Sequence, residues 1–194
     1  MKKIVCLGDS LTRGFGVPEK ESWVGLLKEK HGWNTINKGV NGDTTSGMLS
    51  RFQEDVIKEK PGYVLIAGGV NDLICGSPLG AIQANIMGMV HVAYRHGILP
   101  IVGTCLLGDE GNFRKDWNDM ADIGEINALN RAYRCWILKL SAVFHVPCLD
   151  LQKEYLLRAG IRYGMTLTDG LHPSREGHEL MASIADEFLN AHCA

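Results

Sequence analysis

The sequence predicts an α/β protein, a five-stranded parallel sheet covered on both faces by helices. Five short apolar runs alternate with stretches whose apolar residues recur every three or four positions, the patterns of buried strands and of core-facing helices. Apart from residues 35–37 the runs are largely apolar, so both of their faces are buried, as in parallel sheets with helical crossovers. Right-handed crossovers then bring every strand's carboxyl end to one edge of the sheet.

In chain order, residues 4–7 (Ile-Val-Cys-Leu) form the first strand, which stops on Gly8-Asp9-Ser10. Trp23, Val24, Leu26 and Leu27 line a first helix, and residues 35–37 form the second strand. Met48, Leu49, Phe52 and Val56 mark a second helix, followed by a third strand at 63–67. Ile82, Ile86, Met89, Val90 and Ala93 mark the third helix, and 99–103 the fourth strand. Residues 105–121 then run irregularly for longer than most connections, which marks them as functional or mobile. Ile126, Leu129, Tyr133, Trp136, Ile137 and Leu140 give a long fourth helix, 147–149 a fifth strand, and Leu180, Met181, Ile184, Phe188 and Leu189 the last helix. With no repeat, low-complexity stretch or linker, residues 1–194 read as one domain, long enough to bury a core without staples.

Composition excludes several classes. A hydrophobic fraction of 45% with 22% charged residues is that of an ordinary soluble globular protein. The net charge is −2 and Lys and Arg are scattered, so no basic stripe argues for a nucleic-acid partner. No apolar run approaches membrane-spanning length. The four apolar residues after Lys2 and Lys3 are too few for a secretion signal, so a cytoplasmic chain without a stable membrane anchor is expected. The six cysteines form no Cys-x-x-Cys, which argues against a zinc knuckle or a redox pair and for buried free thiols. Neither a dinucleotide-binding nor a P-loop glycine pattern occurs. His178 is expected on the surface of the last helix.

Three loops at strand ends carry polar residues: Asp9-Ser10, the 37–45 segment with Gly39 and Gly42, and Gly69-Val70-Asn71-Asp72. Asp169 and His172, in the loop before the last helix, can reach the same edge. Open α/β sheets bind ligands at that edge. A hydroxyl becomes nucleophilic when a base takes its proton, and His172 can do this. A carboxylate on the other ring nitrogen fixes the tautomer, and Asp169 lies three residues away. The amides of Ser10 and Gly39 and the side chain of Asn71 could supply the preorganised donors an oxyanion needs. Each residue also has a bland role. Asp9 and Asn71-Asp72 could cap helices, Gly39 and Gly42 could serve turns, and Asp169 could form an Asx turn. One bland role accounts for one residue; it does not account for five polar groups collecting at one edge.

These residues resemble the four sequence blocks of the GDSL, or SGNH, hydrolases. Gly8-Asp9-Ser10-Leu11, Gly39, Gly69-Val70-Asn71-Asp72 and Asp169-Gly170-Leu171-His172-Pro173 occur in that family's order and span nearly the whole chain. The resemblance implies a flavodoxin-like α/β/α fold, a Ser10–His172–Asp169 triad, an oxyanion hole from Ser10, Gly39 and Asn71, and no metal or cofactor. Gly42-Asp43-Thr44-Thr45 resembles the bacterial lysophospholipase and acyl-thioesterase branch. The expected activity is hydrolysis of small-molecule acyl esters or thioesters, with Asp9, Asp72, Leu106, Phe113 and Trp117 as candidate substrate contacts. Residues 106–120, which mix large apolar side chains with charges, are expected to form a mobile cover over the triad. A carbohydrate O-acetylesterase with the same triad and a non-catalytic binding module remain as alternatives, the latter because fold alone does not prove function.

Overall fold

The computed structural model describes residues 3–118 and 121–193. β1 (Ile4–Gly8) leads into a one-turn helix, α1 (Ser10–Arg13), capped by Asp9. α2 (Trp23–Glu29) is capped by the Ser22 hydroxyl and followed by β2 (Thr35–Gly39). α3 (Thr45–Ser50) is capped by Thr44 and runs on into a wider π-type turn, Gln53–Ile57. β3 (Tyr63–Ala67), α4 (Val70–Ile74), α5 (Leu79–Arg95) and β4 (Leu99–Gly103) follow. A short α6 (Lys115–Asn118) precedes α7 (Ile123–Phe144), β5 (Cys148–Leu149), α8 (Leu151–Ala159) and α9 (Arg175–His192).

All five strands are parallel, in the order β2-β1-β3-β4-β5. Alternating residues of each strand divide the core. Val5, Leu7, Val64, Ile66 and Val102 pack with residues of α3, α5 and α7, while Ile4, Cys6, Leu65 and Ile101 pack with α2, α8 and α9. This is the expected three-layer α/β/α arrangement in flavodoxin-like strand order. The direction in which successive strands are added to the sheet reverses between β1 and β3, the switch point at whose carboxyl ends such sheets open a crevice. The loops bearing Ser10 and Asn71 leave the sheet there.

Three expectations need correction. The second predicted helix is broken after Ser50, although Met48, Phe52 and Val56 all stay buried as the pattern requires. His178 is fully buried, not a surface residue: its Nδ1 accepts the Trp23 N–H at 3.4 Å, and burial, then the neighbouring His172, hold its pKa down to about 4. Of the thiols, Cys6 and Cys105 are buried, but Cys75 and Cys135 are exposed.

The first half of the long irregular segment is tied down. Cys105, Leu106 and Leu107 are buried. The Gly108 N–H and C=O both bond the Asn127 side chain, at 2.8 and 2.9 Å. Asp109 and Arg114 donate backbone N–H groups to the carbonyls of Gly170 and Asp169, at 2.7 and 3.2 Å. These bonds tie this stretch to α7 and to the 169–172 loop. Met120, the end of the expected cover, lies outside the described residues.

Candidate active site

Ser10 is the first residue of α1, and the Asp9 cap fixes the turn that raises it above the sheet edge. Ser10 Oγ lies 3.0 Å from His172 Nε2, and His172 Nδ1 lies 2.8 Å from Asp169 Oδ2. Asp169 Oδ1 accepts the backbone N–H groups of Leu171 and His172, at 3.1 and 2.8 Å. It thus makes the Asx turn and orients the ring at once. Desolvation works to raise the Asp169 pKa, but the hydrogen bonds and charge of His172 outweigh it and leave the carboxyl below its usual range. An ionised Asp169 can only accept, so Nδ1 carries the proton and Nε2 is free to accept from the Ser10 hydroxyl. Thr168 closes the loop by donating its N–H and hydroxyl to the His172 carbonyl, at 2.8 and 3.1 Å. Phe15 and Trp117 flank the imidazole, with centroids 4.4 and 5.6 Å away.

Ser10 and His172 open into a pocket of about 210 Å³ that is almost entirely apolar. Phe15, Ile74, Phe113, Trp117 and Leu171 supply most of its wall, and Asn41, Gly42 and Asn71 a polar corner. The Asn71 amide donates one bond to the Asp43 carbonyl at 2.9 Å. Among the described residues, no acceptor is found for the amide N–H groups of Ser10 and Gly42.

The structure thus brings together Ser10, Asp169, His172, Asn71, Phe113 and Trp117. It does not place the remaining candidates at the pocket. Gly39 ends β2, and its N–H is already donated to Asn37 Oδ1 at 2.9 Å. It is glycine because α1 packs against it, where a Cβ would fall 2.1 Å from the Arg13 nitrogen. A free amide on that loop, at the pocket wall, belongs to Gly42, at φ +73°, which the sequence marks only as a turn. Asp72 is buried and occupied in holding α3: its carboxylate accepts the Thr45 N–H at 2.8 Å and hydroxyl at 2.6 Å. Leu106 is buried behind the site, beside a small internal cavity of about 10 Å³.

Asp9 lines that same cavity, not the pocket. Its Oδ1 accepts the Leu11 N–H at 2.9 Å, while Oδ2 has no partner among the described residues. Burial first, then repulsion from Asp43 and Asp72, push its pKa up to about 7. The folded protein therefore keeps a proton that the unfolded chain releases above about pH 4. Fewer protons on the unfolded chain mean that stability falls as pH rises through this interval up to about 7, and stays lower above it. Asp9→Asn keeps the cap and removes the ionisation. Its stability relative to wild type, read from urea midpoints, rises by at most about 1.4 kcal/mol per pH unit between pH 5 and 7. A constant difference across that range contradicts the assignment.

A hydroxyl joined through an imidazole to a carboxylate suits attack on an acyl carbonyl, and this fold and site together define a carboxylic ester hydrolase. The chain belongs to the GDSL-like lipase/acylhydrolase family, whose sequence profile matches residues 6–180. It is similar to the arylesterase of Vibrio mimicus, 28% identical over 197 residues, covering 98% of this chain and 90% of that one. The uncharacterized lipoprotein YqeF of Bacillus subtilis (strain 168) is 37% identical over 122 residues, so that the match spans 56% of this chain and half of that protein. The crystal structure of the lipase/acylhydrolase from Enterococcus faecalis superposes with a TM-score of 0.81 at 26% identity, covering 98% of this chain and 96% of that one. Among the described residues, no helix is long and apolar enough to cross a membrane.

Proposed function

We propose that the chain hydrolyses short- to medium-chain acyl esters or thioesters through an acyl-enzyme on Ser10. The observation that carries this is the Ser10–His172–Asp169 relay opening directly into an apolar pocket. Ser10 Oγ attacks the acyl carbonyl as its proton passes to His172 Nε2. The carbonyl oxygen, now an anion, is met by the amides of Ser10 and Gly42 and the side chain of Asn71. Collapse expels the alcohol or thiol, which takes the proton from His172. Water then attacks the acyl-enzyme with His172 again as base, and the carboxylic acid and free Ser10 result. Asp169 stays ionised throughout and balances the imidazolium charge.

The lining supports an acyl chain over a sugar, because it offers few groups to bond sugar hydroxyls. The pocket is small beside the roughly 300–1,000 Å³ of sites for drug-sized ligands, which favours the shorter acyl groups. The test is turnover of p-nitrophenyl esters of graded length, beside an acyl-CoA and acetylated xylo-oligosaccharides. Turnover is expected on the esters, with a maximum below the longest chains; turnover confined to the acetylated sugars rejects the reading. Phe113→Ala and Trp117→Ala enlarge the pocket and move the optimum to longer chains. A buried methylene contributes roughly 0.8 kcal/mol, about fourfold per carbon, so a shift of one or two carbons is readable. An unchanged profile in both variants places the acyl chain elsewhere.

A further inference from the structure

The three proposed oxyanion donors come from three separate loops, after β1, after β2 and after β3. Their amides can meet one oxygen only if those loops are held in register. A single side chain, Arg51, touches the backbone or side chains of two of these loops and reaches the third through one hydrogen bond. Its Nη2 donates to the Gly8 carbonyl at 2.9 Å, two residues before Ser10. Its Nη1 donates to the Lys38 carbonyl at 2.8 Å, where the second loop leaves β2. Its Nε donates to Asp43 Oδ2 at 2.7 Å, next to Gly42. The Asp43 carbonyl in turn accepts the Asn71 side-chain amide at 2.9 Å. Asp55, at 2.6 Å from Nη1, holds the guanidinium from behind, and the Arg51 side chain is only 18% exposed.

We propose that Arg51 is a positioning residue for the oxyanion hole, a side chain that helps to set the mutual spacing of the Ser10 and Gly42 amides and the Asn71 side chain. This rests on the acyl-transfer reading of the site given above. Arg51 contacts neither the pocket nor the Ser10–His172–Asp169 relay, so it acts on the reaction only through those donors. The geometry demands arginine. A planar fork with several fixed donors spans two carbonyls and two carboxylates at once, which the compact ammonium of lysine cannot do. Preorganised donors cost no rearrangement as charge develops, and that advantage disappears when they are displaced.

The test uses Arg51→Lys, Arg51→Met and Asp43→Asn, with Ser10→Ala and Asn71→Ala measured beside them on one p-nitrophenyl ester. All three positioning variants are expected to lower kcat, Arg51→Met by about 10²-fold, the size of loss that a displacement of roughly 1 Å can cause. KM changes little, since the donors act mainly in the transition state. Affinity for an alkylboronic acid, whose adduct on Ser10 places an oxygen in the hole, falls with kcat. Affinity for the matching unreactive alkyl ether does not. A merely structural arginine would lower both affinities together, or neither. Full recovery of kcat in Arg51→Lys overturns the proposal, because charge alone would then suffice. Should Arg51→Met fail to fold, the other two variants decide the matter by the same readouts. Loss of activity in Asn71→Ala with unchanged kcat in every Arg51 and Asp43 variant rejects Arg51 alone, whereas an active Ser10→Ala rejects the underlying reading.

Discussion

Ser10→Ala lowers kcat on a p-nitrophenyl ester by about 10⁶-fold, the loss found when the nucleophile of the template triad is removed. The size follows from the arrangement. The Ser10 hydroxyl lies 3.0 Å from His172 Nε2, and among the described residues no second hydroxyl or thiol lines the pocket to replace it. Removing it loses covalent catalysis, and the remaining donors and binding contacts can still supply only a modest acceleration. The fold should survive, because the change deletes one atom from a pocket wall and leaves the Asp9 cap of α1 intact. Urea midpoints within about 0.5 kcal/mol of wild type, the range for substitutions clear of the core, would confirm this. Mass spectrometry of the wild type after fluorophosphonate treatment should find the adduct on Ser10. Labelling on another residue, or an active Ser10→Ala, removes the nucleophile assignment.

Much of the fold was legible because it rests on periodicity. The strands β1, β3 and β4 are short apolar runs, and α5 and α7 carry long stripes. α5 buries every predicted residue, whereas in α7 Ile126, Tyr133, Ile137 and Leu140 are buried but Leu129, expected on the same stripe, is exposed. What escaped notice was short or mixed. α1 and α4 are a turn or so long and carry no stripe of their own. α8 buries Leu151 and Tyr155 but exposes Leu156 and Leu157, so its apolar residues lie on both sides and cancel. The site shows the same division. Ser10, Asp169, His172 and Asn71 announce themselves by chemistry at strand ends. Gly39 and Gly42 share a loop, and which amide is free depends on the Asn37 side chain and the packing of α1, which no spacing records. Asp9 and Asp72 look like ligand contacts because carboxylates beside a site suit that role, but Asp9 is spent as the cap of α1 and Asp72 on Thr45, distant in sequence. Phe15 lay between two glycines just past Ser10, a signal for an exposed aromatic at the site that only the 4.4 Å contact with His172 makes readable.

Asn71→Ala lowers kcat by about 10²–10³-fold, the loss that follows removal of one preorganised donor. The Asn71 amide has two N–H groups. One is committed to the Asp43 carbonyl, which fixes the side-chain plane, and the other remains for the substrate. A ground-state carbonyl carries little charge and gains little from that donor. The tetrahedral oxyanion gains much more, in an apolar pocket where the interaction is poorly screened. The loss should therefore fall on kcat, with KM nearly unchanged. Asn71→Asp separates this role from a structural one. It keeps the side-chain volume but loses both N–H groups and sets a negative charge against the developing oxyanion, so it must be slower than Asn71→Ala. Were Asn71 only a tether for the 40–44 loop, both variants would free the Asp43 carbonyl alike and lower activity by similar factors. An ordering with Asp below Ala, at matched urea midpoints, identifies the oxyanion donor; equal losses, or a rise in KM at constant kcat, would assign Asn71 to the loop or to ground-state binding instead.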